Sequence, residues 1–143
     1  MILNFNNSNI IEIQNIVYNS SNKIELEGSI RILYEAIKNI PKNTSIYLLF
    51  CHLLSVALQK MVEQEYCYEK DIIPNIKKAI HYNKEIIKYY PKIDESETLI
   101  NPYISMLEEA NSLCKLAKYE KNLEYYQKAF KLYKKIRINS NDK

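Results

Sequence analysis

One glycine, Gly28, stands in a chain of 143 residues, where ordinary usage is about 7%. β-hairpin turns, phosphate-cradling loops and dinucleotide-binding turns all need left-handed or side-chain-free backbone, which glycine supplies at least cost. Those architectures are all but excluded. What remains is a fold whose elements are joined by turns that ordinary residues tolerate, and the apolar spacing says which elements.

Apolar residues recur at steps of three and four, never at two. Leu26, Ile30, Leu33, Ile37 and Ile40 form one helical stripe. Tyr103, Leu107, Ala110, Cys114 and Ala117 form another, and Tyr119, Leu123, Tyr126, Phe130 and Tyr133 a third. Ile73, Ile76, Ile80, Ile87 and Tyr90 continue the pattern with Asn83 out of character, and Ile10, Ile13 and Val17 give a shorter N-terminal version. Residues 46–58 are apolar almost all round, as expected of a helix surrounded by others. Pro41 and Pro91 follow helical runs, Asn101-Pro102 reads as an N-cap with proline at the first helical position, and Asp71 as the cap of the run containing Pro74. The expectation is an all-α chain of six helices, about 8–19, 23–40, 44–69, 71–90, 102–118 and 119–138. Short joints imply consecutive antiparallel hairpins, as a short repeat array or a compact bundle. Residues 1–138 form one domain in this reading and 139–143 a frayed tail.

Composition places the chain among ordinary globular domains: 47% hydrophobic, 26% charged, net charge +3. Three cysteines, Cys51, Cys67 and Cys114, lack any short repeat spacing and suit reduced thiols in a cytoplasmic setting. The first 22 residues hold no Lys or Arg, so the charged start of a secretory signal is missing. His52 and Ser55 interrupt the longest apolar stretch well short of the roughly 20 residues that span a bilayer, and no membrane partner is expected.

A repeated grammar underlies the stripes. Ala110, Leu113, Tyr119, Tyr126 and Ala129 follow the small/large/aromatic spacing of a helical hairpin. Ser29, Leu33, Ala36 and Pro41, then Tyr47, Phe50, Cys51 and Leu54, repeat it upstream. In these positions the chain resembles a tetratricopeptide repeat (TPR). Glu109 departs from the usual leucine and Asn122 from the usual alanine, and the 50 residues from Pro41 to Pro91 exceed the 34-residue period. The resemblance implies that the first helix of each hairpin lines a concave groove, presenting Gln14 and Tyr18, then Leu48, His52 and Ser55, then Leu107, Asn111 and Lys115. It implies a protein or peptide partner, with an amphipathic helix or hydrophobic peptide suiting so mixed a groove. A carboxylate clamp is not expected, because Gln14, Leu48 and Leu107 stand where charge or amide would be needed. In a closed bundle the same leucines would pack inside.

Catalytic constellations are missing. His52 and His81 stand in no metal-binding helical motif, no cysteine pair has zinc-finger spacing, and adjacent Cys51-His52 point about 100° apart on a helix. His52 reads as a core or groove histidine, and His81 with Glu85 as a surface pair one turn apart. Glu108-Glu109 and Glu63/Glu65 are adjacent or two apart, so neither pair faces a common point. The expectation is a binding protein with neither catalysis nor a cofactor.

Charge separates two further readings. Residues 1–70 carry 6 basic and 7 acidic side chains, whereas residues 71–143 carry 14 and 10. Lys121, Lys128, Lys131 and Lys135 share one face of the last helix opposite its apolar stripe. A solvated outer face looks like this, and so does a small RNA- or DNA-binding surface. Tyr66 and Tyr68 near the end of the third helix and Tyr89-Tyr90 near the end of the fourth would form an aromatic patch if those ends met. A toxin-neutralising or inhibitory protein, or a homodimer, fits the same scaffold.

Overall fold

The computed structural model describes residues 7–93 and 100–141. These residues form α1 (Asn7–Asn19), α2 (Lys23–Ile37), α3 (Ser45–Glu63), α4 (Glu69–Tyr89), a single 3-10 turn (Tyr90–Lys92), α5 (Pro102–Glu120) and α6 (Leu123–Asn141). The chain is all-α with six α-helices, and no strand occurs among the described residues.

The helix starts have local causes. The Asn22 side chain accepts from the Ile24 and Glu25 amides at 2.9 and 3.2 Å, the Thr44 hydroxyl from the Tyr47 amide, and the Asn101 side chain from the Tyr103 amide with Pro102 behind it. Asp71 is not a cap: α4 begins two residues earlier, and the Asp71 amide itself donates to the Tyr68 carbonyl at 2.8 Å. Pro74 consequently lies in the second turn, where the Lys70 carbonyl loses its helical donor.

Two ends differ from the expected boundaries for one reason. α3 stops at Glu63 rather than 69 because Glu65 takes a left-handed conformation (φ 57°), and α6 starts at Leu123 rather than 119 because Lys121 does the same (φ 54°). Both are turns of the kind glycine usually makes, in a chain whose only glycine lies inside α2. At the C-terminus the helix runs on to Asn141, so the expected tail is helical that far; residues 142–143 lie outside the described residues.

Packing follows chain order. α3 packs on α4, α4 on α5 and α5 on α6, while α1 and α2 close over α3. The core accordingly divides into three clusters. Ile13, Val17, Leu26, Leu33, Phe50 and Leu54 unite α1–α3; Val62, Ile76, Ala110, Leu116 and Ala129 join α3 to α6; Tyr47, Leu48, Cys51, Ile86 and Ile93 tie α3 to the end of α4. α3 supplies all three, which explains its apolar circumference. By length and composition α3 could cross a membrane, and here over half of that window is buried against its neighbours.

Two stripes face elsewhere than their spacing suggests. On α5 the buried side is Met106, Glu109, Ala110, Leu113, Leu116 and Ala117, leaving Tyr103 and Leu107 exposed. On α6 the helix turns Tyr125, Ala129, Leu132 and Tyr133 inward, so Leu123, Tyr126 and Phe130 point outward. Ala129 decides the second case: a small residue against Ala110 lets the two helices approach where a phenylalanine would hold them apart.

Candidate functional site

α4 packs against both α3 and α5, and the α5 stripe at 104, 107, 108, 111 and 115 is left facing away from the core, with Glu108 and Lys115 half-buried. Across from it stand the last turn of α1 and one side of α3. Tyr18 and His52 meet with ring centroids 6.1 Å apart. Glu108 is close enough to Tyr18 for its charge to reinforce, after burial, the upward shift of the phenol. Three helices thus bring a phenol, an imidazole and a carboxyl to one place.

The electrostatics there are set by desolvation. Burial lowers the His52 pKa, which favours the neutral ring, and pushes the Glu108 carboxyl up to about 7. His52 Nδ1 and Glu108 Oε2 are both buried and neither has a hydrogen-bond partner. On the core-facing sides of α4 and α5, away from this cleft, Asn83, Ser105 and Ser112 also bury side-chain polar atoms without partners. Buried groups of this kind cost about 1–3 kcal/mol each when unsatisfied, and at the cleft itself it is His52 and Glu108 that leave hydrogen-bonding capacity unused.

The far end of the cleft is bridged. Lys115 pairs with Glu63 at 2.7 Å, joining α5 to the last turn of α3, and the Tyr133 hydroxyl of α6 donates to Asn111 Oδ1. Glu63 and Lys115 also line a cavity of about 490 Å³ with Cys67, Ile72, Lys118 and Tyr119.

Of the eight groove positions expected from the sequence, Tyr18 and His52 are brought together, Lys115 and Asn111 lie on the same α5 stripe, and Leu107 is exposed on it. Gln14 is half-buried one turn before Tyr18. Leu48 and Ser55 are not groove residues: both are fully buried, Leu48 within the α3–α4 cluster and Ser55 accepting from Gln59 Nε2 at 2.9 Å. α3 is packed on too many sides for them to reach the surface. Glu108 was missed, since its neighbour Glu109 points inward and only a knowledge of helix rotation separates the two. Its signal in the sequence is the i, i+3, i+7 relation to Asn111 and Lys115.

The other candidates are placed as follows. Lys121 forms the left-handed end of α5, and Lys128, Lys131 and Lys135 are exposed on α6, Lys128 resting over the Tyr125 ring. Tyr68 and Tyr89 sit at opposite ends of α4, about 30 Å apart at 1.5 Å per residue, so the imagined aromatic patch does not form. Tyr89 packs edge-on against Tyr47 instead. His81 lies 4.0 Å from Glu85, whose carboxylate also accepts from the Tyr47 hydroxyl at 2.9 Å. Cys51 is buried and its thiol is raised to about 12, the opposite of nucleophile activation. No group of three metal-ligating side chains occurs among the described residues. Compared with protein-family models, curated proteins and solved structures, this chain matches none.

Proposed function

We propose that this chain is a non-catalytic protein- or peptide-binding module, built on a TPR-like succession of helices, whose α1–α3–α5 side receives an extended or helical peptide. One observation supports it above the others: His52 Nδ1 and Glu108 Oε2 are buried without partners beside the half-exposed Tyr18 ring. A neutral imidazole nitrogen and a carboxyl can each take a hydrogen bond from a peptide N–H or a basic side chain, while Ile104 and Leu107 offer apolar contact on the same helix.

Affinity capture from native lysate, with and without nuclease, tests this when run beside His52→Phe and Glu108→Gln variants. A protein partner that survives nuclease and is lost with either variant is the expected result. Recovery that depends on nucleic acid, or that ignores both substitutions, overturns the proposal.

A further inference from the structure

Glu108 is short of a cation. Its Oε2 is buried without a hydrogen-bond partner, and burial alone accounts for the upward shift of its carboxyl. The neighbouring Glu109, which points to the core, is served differently: the charges of Lys84 and Lys135 act on it and oppose the effect of burial. Lys115, the basic residue two turns along the Glu108 stripe, is engaged with Glu63 at 2.7 Å. Across the cleft His52 is no substitute, because burial favours its neutral ring. Among the described residues none pairs with the Glu108 carboxyl, and a carboxylate withdrawn from water is costly until something positive does.

The surroundings say which cation fits. Tyr18, 45% exposed, stands near enough to Glu108 for the two charges to act on each other, and its ring also meets His52. An aromatic ring beside a carboxylate suits a guanidinium better than an ammonium, since the planar fork pairs with the carboxylate, stacks on the ring and is less strongly hydrated. Ile104, half exposed one turn before Glu108, offers apolar surface to the aliphatic stem. Part of Glu108 is open to solvent, so the residue is accessible from the cleft. Resting on the peptide-binding role proposed above, we infer that the α1–α3–α5 cleft receives an arginine of its peptide partner, the guanidinium pairing with Glu108 beside the Tyr18 ring. Pairing returns the carboxyl to its ionised form, and a charge-assisted hydrogen bond of this kind is stronger than one from a neutral peptide N–H.

The test is a displayed library of random peptides selected against the full chain, with the Glu108→Gln chain selected in parallel. Glutamine keeps the shape of the carboxylate and removes its charge, and circular dichroism checks that the variant keeps its helical content. Arginine is expected to be enriched at one position of the peptides that bind the unaltered chain and not of those that bind the variant. Replacing that arginine by citrulline, which has a similar shape and no charge, should cost about tenfold or more in affinity. On Glu108→Gln the same replacement should cost little, which isolates the pair. Peptides that favour no arginine, or that lose equally with citrulline on both chains, overturn the arginine assignment; if they still weaken with His52→Phe, the peptide-binding role of the cleft stands. Peptides indifferent to both His52→Phe and Glu108→Gln, or a library from which nothing is enriched, overturn both.

Discussion

The Lys60 ammonium of α3 donates to the Val17 carbonyl at 2.8 Å, and the same nitrogen reaches the Tyr18 carbonyl at 2.9 Å. These are carbonyls of the last turn of α1, which has no basic residue of its own there. The lysine therefore satisfies orphan acceptors and opposes the negative end of the helix dipole in one contact. It also fixes the turn from which Tyr18 faces His52.

Lys60→Met, which keeps the stem and removes the charge, is expected to cost about 1–2 kcal/mol. Urea unfolding measures the loss, and amide exchange should speed first at Asn15–Ser20. An unchanged midpoint would show that water caps α1 equally well.

Glu108 makes stability depend on pH in a direction opposite to most carboxylates. Its carboxyl rises from 4.5 to about 7 on burial, so between those values the folded chain holds a proton that the unfolded chain has released. Stability contributed by this group is full below about pH 4.5 and falls as pH rises through 7. With allowance for solvent screening at a partly open site, the loss is on the order of 2 kcal/mol. His52, lowered by burial, gives the opposite slope below its ordinary value of 6.5, so wild type must be compared with Glu108→Gln at each pH. The variant should gain stability at pH 8 and little or nothing at pH 4; equal effects at both would mean that the carboxyl is not desolvated.

The chain's use of glycine can be inverted. Gly28 lies within α2 without positive φ, and a Cβ added there meets nothing within 4 Å. Gly28→Ala should therefore stabilise by about 0.5–1 kcal/mol. Lys121, held left-handed at the end of α5, is strained where glycine is not, and Lys121→Gly should gain a similar amount. The sites are on different helices and the two gains should add. Thermal melts check this, and a loss in either single variant contradicts the reading of its backbone.

Helix number and type were legible because period and punctuation agreed: Asn101-Pro102, Pro41 and the Leu26–Leu33 stripe all do in the structure what their chemistry requires. Rotation was harder to read. α6 contains two apolar stripes, one through Leu123, Tyr126 and Phe130 and one through Tyr125, Ala129 and Leu132, and the first looks better by hydrophobicity. The second is buried because closeness of approach to α5, set by Ala129, outweighs side-chain size. The same blindness to rotation hid Glu108 behind Glu109, and placed Leu48 and Ser55 in a groove that α3, enclosed on several sides, does not open. Where glycine was scarce, no residue type marked the turns at Glu65 and Lys121, and those boundaries moved.

Asn83 tests whether the unsatisfied polar groups are retained at a cost to stability. It is fully buried in α4 among Ile76, Ala79, Ile80 and Ile86 on the same helix, and neither its amide nitrogen nor its oxygen has a partner. A leucine has nearly the same branched shape and no polar atoms to desolvate. Removing both unpaired groups should outweigh any imperfection of fit. Asn83→Leu is thus expected to stabilise the fold by about 1–2 kcal/mol, read as a raised urea midpoint with unchanged slope. Asn83→Asp, which buries a carboxyl at the same point, should destabilise, and more severely above pH 6 than below pH 4 as the group ionises. A destabilised leucine variant would mean that the amide is engaged by bound water in solution.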